Sequence, residues 1–316
     1  MAEATQVREL ATGLEFPEGP VVLPDGSVAV CEIKGQRITR VAQDGSKEVI
    51  AEPGGGPNGA QLGPDGKLYV CNNGGAYEFV DMGGITVTAQ PPQNHEGGRI
   101  ERVDIQSGEV ERLYEEAGGN KLISPNDIVF DDQGGFWFTD HGIHWDRSAD
   151  RTWICYAKAD GSEIHEVMGP VDGANGIGLS PDGKRLYVAE TYTSAIWSWE
   201  VTGPGQIGEG LPLLPHGGTP VLRVSGFCAL DSLAIDGEGN VCVGTLLKGG
   251  ITVVAPGTEP AAGEEIDFVA VADPWPTNIA FGGDDLRTAY ITGSATGTLF
   301  VVDEWARAGL RLAYQG

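Results

Sequence analysis

Six side chains bearing a carboxylate or amide oxygen recur at matching positions of this 316-residue sequence: Glu18, Asn58, Asn126, Asn175, Asp231 and Asn278. Successive positions lie 40, 68, 49, 56 and 47 residues apart. Hard divalent cations want such a set. Calcium takes about six to eight oxygen ligands at about 2.3–2.6 Å, and two carboxylates among four amides match a doubly charged ion. No Cys or His occupies any of the six positions, which disfavours a soft zinc-type site. Asn and Asp also serve turns and strand entries for purely structural reasons. It is the register of all six, with acids at only two, that points to metal.

The surrounding residues show what must position these donors. The first copy reads Pro17-Glu18-Gly19-Pro20, then the turn Pro24-Asp25-Gly26, then an apolar run from Val28 to Cys31. The pattern returns with Asn58 and Pro64-Asp65-Gly66, with Asn126 and Asp131 to Gly134, and with Asn175 and Pro181-Asp182-Gly183. Asp231 with Asp236 to Gly239, and Asn278 with Gly282-Gly283-Asp284, complete six copies. A strand, an Asp/Gly turn and a second strand make a hairpin. Third strands follow at Ile38 to Val41, Ile100 to Val103, Ile154 to Tyr156, Ile196 to Trp199, Ile251 to Val254 and Leu299 to Val302. Polar turns and an outer strand come after most of these. Four strands in each of six units is the arithmetic of an all-β, six-bladed β-propeller with antiparallel blades. One domain over residues 1–316 is expected. The segment Val7 to Ala11 has no unit of its own, so it is expected to complete the last blade and close the ring.

In a propeller the first strand of each blade lines the central channel, so equivalent positions face one another. The six donors should therefore share one axis.

Composition narrows the partners. A net charge of −25 argues against nucleic acid or an anionic membrane, both of which demand a basic patch. No run of about 18 apolar residues appears. The opening residues 1–5 lack the basic and apolar regions of a signal peptide, and the cytosol is the expected compartment. Cysteines at 31, 71, 155, 228 and 242 are scattered and odd in number. Four of them fall in apolar strand-like runs, where a free thiol acts as a small hydrophobe. A small-molecule substrate and a monomeric state are expected.

These motifs resemble the senescence marker protein/gluconolactonase/luciferin-regenerating enzyme family of six-bladed propeller hydrolases, across essentially the whole chain. The most specific pieces are Glu18-Gly19-Pro20, Pro125-Asn126-Asp127 with Asp131 and Gly134, and Asn175-Gly176 with Ser180-Pro181-Asp182-Gly183. Asp231-Ser232 and Thr277-Asn278 with Phe281-Gly282-Gly283 add to them. Bacterial lactonases and diisopropyl fluorophosphatase look similar in the same places. The resemblance implies one divalent cation, calcium first, with Mg²⁺, Mn²⁺ or Zn²⁺ as alternatives. Its ligands would be Glu18, Asn126, Asn175 and Asp231. Asn58 and Asn278 have no such direct support and are left to line the channel or hold ligand water. The activity implied is metal-dependent hydrolysis of a lactone or similar ester, with Asp231 as the carboxylate that activates water or attacks, and Glu18 as its rival.

One departure bears on substrate. Sugar-acid lactonases of the animal branch carry an arginine two residues before the asparagine equivalent to Asn126, where this sequence has Ser124. Without that guanidinium a less polar lactone or ester is expected. Trp145, Trp153 and Trp275 lie in or beside loops suited to rim the channel, or to pack between blades. His141 and His144 follow a strand read as facing the channel and can relay protons or bind a carbonyl, though a structural histidine is the plainer use. His95 and His216 have weaker claims. An insertion from Gly74 to Gly98 breaks the even spacing, as functional lids often do.

No Gly-x-Ser-x-Gly elbow, Walker loop or His-Glu-x-x-His is present. Organophosphate or fluorophosphate hydrolysis is the near alternative, since the same ion and carboxylate suit a phosphoryl centre. A strictosidine-synthase-like propeller without metal and a non-enzymatic calcium-binding propeller are the other readings, because fold does not settle function.

Overall fold

The computed structural model describes residues 6–258 and 260–315. The opening residues 1–5, read above for a leader, lie outside the described residues, as do 259 and 316. Six antiparallel sheets follow one another along the chain, each starting at the channel and ending at the rim. Blade 1 comprises Pro17–Val22, Val28–Glu32, Arg37–Val41 and Lys47–Ala51. Blade 2 comprises Pro57–Leu62, Leu68–Asn72, Arg99–Val103 and Val110–Tyr114, and blade 3 Pro125–Phe130, Gly135–Asp140, Thr152–Lys158 and Ile164–Val171. Blade 4 is built from Ala174–Leu179, Arg185–Glu190, Ala195–Gly203 and Thr219–Arg223, with the short strand Gln206–Ile207 added to its third. Blade 5 has Ala229–Ile235, Val241–Leu246, Gly250–Ala255 and Glu264–Ala270. Blade 6 has Pro276–Gly282, Thr288–Gly293 and Thr298–Val302, and takes its fourth strand, Arg8–Ala11, from the other end of the chain. No helix occurs among the described residues.

That fourth strand pairs Arg8 with Val301 and Ala11 with Leu299, and the Arg8 guanidinium grips Asp303 through two hydrogen bonds of 2.9 Å. The expected closure by Val7 to Ala11 is what the chain does. First strands touch their neighbours in turn around the ring, including blade 6 against blade 1.

Between each pair of blades lies one apolar cluster, six in all. Alternation along each strand sends one face into the cluster ahead and the other into the cluster behind. Trp137 and Leu186, both fully buried, meet between blades 3 and 4. Cys31, Cys71, Cys155 and Cys242 are buried in such clusters as free thiols, and Cys228 is also free. Burial pushes the four buried thiols well above the ordinary cysteine value, so they stay protonated and inert.

The two ends of the channel differ. Donor positions cluster where the first strands begin. At the end where those strands finish, Leu310, Leu312 and Ala313 cross the opening over a cavity of about 80 Å³. They are pinned there by Leu310 N to Ile235 O at 3.0 Å and Gln315 Nε2 to Phe281 O at 2.8 Å.

Candidate metal centre

Every donor falls on a break in strand register. The shift runs between Glu18 and Val21, Pro57 and Ala60, Pro125 and Ile128, Ala174 and Ile177, Leu230 and Leu233, and Pro276 and Asn278. Such a bulge adds a residue, bends the strand and re-aims a side chain. It also brings neighbouring first strands very close. A Cβ on Gly19 would stand 2.1 Å from Asn58 O, and one on Gly176 would stand 2.5 Å from Leu233 N. Glycine after the donor is therefore a packing requirement as well as a backbone one, since Gly19 has φ +49°.

Glu18, Asn58, Asn126, Asn175 and Asp231 all line one cavity of about 230 Å³ at this end of the channel. Glu18 is held by two donors on one oxygen: Gly19 N at 2.7 Å and Asn278 Nδ2 at 2.9 Å, both to Oε2. Asn175 Nδ2 donates to Thr191 Oγ1 at 3.1 Å, and its Oδ1 accepts from Ser232 Oγ at 3.4 Å. Asn58 Oδ1 and Asn126 Oδ1 are buried with no hydrogen-bond partner. Buried acceptors left bare are costly and uncommon. Two of them on residues that line one cavity with two carboxylates is the arrangement a hard cation satisfies.

Electrostatics agree. Burial raises Glu18 above its ordinary value, and the Asn278 and Gly19 hydrogen bonds offset only part of that. Asp231 is raised well above the carboxylate range, first by burial and then by Glu18. Asp127, next to Asn126, is pushed up to about 8 by burial and then by Glu18. Among the described residues no Lys or Arg lines the cavity to relieve these acids. Nor is any group of three or more His, Cys, Asp and Glu placed to hold a metal by itself. The amides must share in any coordination, and the donors present fit a hard divalent ion.

Asn278 does not line this cavity with the other five. Its Oδ1 accepts from Ile279 N at 2.7 Å while its Nδ2 braces Glu18. His141 and His144 follow Gly135–Asp140, which is the second strand of blade 3 and not the channel strand, a correction to the placement read from sequence. His141 nevertheless reaches the cavity wall, and burial lowers its pKa. His144 is outside that wall: it stacks on Tyr192 at 3.8 Å and bonds Asp172 at 3.0 Å. Of the three tryptophans, Trp275 lines the cavity. Trp153 packs on the cluster between blades 2 and 3, and Trp145 Nε1 donates to Asp150. His95 binds Ile123 O within the insertion's return, and His216 packs against Trp197 and Trp199 of blade 4.

Several wall residues carried no sequence signal. Tyr77 and Thr88 come from the 74–98 insertion, and Tyr192 and Phe16 from loops. Ser124 is fully buried, with its side chain against the Tyr77 phenol.

Known proteins share this architecture. The profile of the SMP-30/gluconolactonase/LRE-like region matches residues 16–295. A lactonase, Drp35, of Staphylococcus haemolyticus is 28% identical over 243 residues, covering 76% of this chain and 66% of that protein. The chain thus spans just under two thirds of that relative's length. A 6-deoxy-6-sulfogluconolactonase of Pseudomonas putida is 30% identical over 189 residues, 58% of each chain. The crystal structure of a calcium-binding protein, regucalcin, from Agrobacterium tumefaciens superposes with a TM-score of 0.72 at 18% identity, over 99% of this chain and 98% of that one. With the matched span running from the first donor strand through the last, this chain belongs to the SMP-30/gluconolactonase/LRE-like family.

Proposed function

We propose that the protein is a divalent-metal-dependent hydrolase that opens a lactone, and that the ion is calcium held by Glu18, Asn126, Asn175 and Asp231, with Asn58 beside them. The observation that carries this reading is the pair of bare, buried amide oxygens on Asn58 and Asn126, residues that line one cavity with two carboxylates. The names of the lactonase and sulfogluconolactonase relatives support lactone opening, and the calcium-binding neighbour supports the choice of ion.

A bound cation supplies Lewis-acid polarisation of the carbonyl and stabilisation of the developing oxyanion. The remaining work falls to this chain's residues. Glu18 is committed, with Oε2 already accepting two hydrogen bonds. Asp231 lines the same cavity and is the more solvent-accessible of the two carboxylates, so it is assigned the proton taken from water. Water oxygen then bonds the carbonyl carbon, the ring carbon–oxygen bond breaks, and the ring oxygen receives the proton to give a hydroxy acid. The cavity wall beside these groups carries the aromatic side chains Tyr77, Tyr192 and Trp275. A weakly polar lactone or ester suits that wall and the absence of an arginine at Ser124.

Asp231→Asn tests the assignment. General-base catalysis contributes about 10²–10⁴-fold, so turnover should fall by at least about a hundredfold with the thermal midpoint retained. A purified variant keeping more than about a tenth of the wild-type rate contradicts the role given to Asp231.

A further inference from the structure

The insertion between Leu68–Asn72 and Arg99–Val103 is a fixed strap. Its start is fastened by Asn73 Oδ1, which accepts from Gly75 N at 2.9 Å and Ala76 N at 3.1 Å. Its middle forms a small hairpin, Phe79–Asp81 with Thr86–Thr88. Thr86 N then donates to Ala295 O of blade 6 at 2.8 Å. Its return is tied to the entry of blade 3 by His95 Nε2 to Ile123 O and Gly98 N to Leu122 O, both 2.8 Å. The strap thus leaves blade 2, touches blade 6 across the site end of the channel, and returns past the entry of blade 3 to the third strand of blade 2.

Its inner side continues the aromatic wall. Phe79 packs on Phe16 at 5.0 Å, and Phe16 meets Trp275 edge-on at 6.0 Å. Tyr77 and Thr88 face the cavity. A divalent ion is charge-matched by Glu18 and Asp231, and no Lys or Arg among the described residues lines the cavity. A substrate's sulfonate, phosphate or carboxylate would therefore meet no cationic side chain there, beside two carboxylates, and burying such a charge unpaired is unfavourable.

We propose that the strap and the aromatic residues beneath it form a specificity wall that admits neutral lactones bearing an aryl or alkyl substituent and rejects anionic ones, with Tyr77 as the residue that contacts the substituent. This rests on the lactone-hydrolase reading given above.

The test uses the full chain loaded with calcium and four probes: γ-butyrolactone, γ-phenyl-γ-butyrolactone, 6-deoxy-6-sulfogluconolactone, and the γ-phenyl lactam as a ligand that resists hydrolysis. The phenyl lactone should exceed the sulfonated one by at least about tenfold in kcat/KM. Tyr77→Ala should cost at least about tenfold more on the phenyl lactone than on γ-butyrolactone, with the difference chiefly in KM. The same variant should weaken lactam binding, read by calorimetry. Equal or better turnover of the sulfonated lactone overturns the proposal, as does a uniform loss across all lactones, which a merely structural Tyr77 would give. Lactam binding that depends on Tyr77 without turnover of any lactone would uphold the wall and overturn the hydrolase reading. Absence of both overturns the wall itself.

Discussion

Asn278→Ala isolates the brace on Glu18. In the folded chain Asn278 Nδ2 donates to Glu18 Oε2 at 2.9 Å, and the two residues are 5% and 3% exposed. A hydrogen bond to a charged group contributes about 1.5–3 kcal/mol, and about 1.4 kcal/mol is tenfold in Kd. Removing the donor should therefore weaken calcium binding by about 10–100-fold, the usual effect of losing an outer partner of a metal ligand. Gly19 N still donates to the same oxygen at 2.7 Å, which places the expected loss near the lower end. The substitution also strips the acceptor from Ile279 N, bonded at 2.7 Å. A buried amide left bare costs about 1–3 kcal/mol, so the thermal midpoint should fall by roughly a few degrees. Calorimetric calcium titration of chelator-treated wild type and variant, with thermal unfolding alongside, reads both effects. A midpoint that falls while the calcium Kd stays within about twofold would refute the role of Glu18 as a ligand held by Asn278.

Deleting residues 1–12 removes the strand Arg8–Ala11 and leaves Thr298–Val302 as an open edge over the cluster containing Leu299 and Val301. The exposed Arg8–Asp303 pair adds little, so the loss comes from strand pairing and apolar cover. The midpoint should drop by roughly 10 °C, and an unchanged midpoint in a calorimetric scan contradicts closure by this strand. Asp140 gives a pH prediction. Its carboxyl accepts from Ile123, Ser124 and Gly142 N–H groups, yet burial pushes it up to about 6. The folded state then keeps a proton that the unfolded chain has released, so this contribution to stability is complete below about pH 4 and is lost as pH rises through about 6. Urea unfolding of wild type against Asp140→Asn across pH 4–7 should show wild type losing stability relative to the variant, and parallel profiles would contradict the raised value.

Much of the fold was legible because short-range chemistry sets it. Asp/Gly turns mark the hairpins, and one donor heads each first strand. The leftover segment Val7 to Ala11 had only one place to pair. The channel donors were legible for the same reason, since all six lie on equivalent bulges. What distinguishes Asn278 was not. Its Oδ1 accepts from Ile279 N while its Nδ2 turns to Glu18, an orientation set by a neighbour 260 residues away in the chain. Tyr77 and Thr88 reach the cavity only because the strap crosses to Ala295, a contact between distant residues that no periodicity announces. His144 is drawn off by Tyr192 and Asp172, partners set by loop packing. The crossing of the far channel mouth by Leu310 to Gln315 is likewise tertiary.

The most direct test of the central claim is a pH-stat assay of lactone opening on chelator-treated protein, with and without added Ca²⁺ and with folding checked in both states. The account predicts acid release that disappears on chelation and returns with calcium, for at least one weakly polar lactone. Turnover that persists undiminished after complete chelation, or none with folded and calcium-loaded protein, would contradict it.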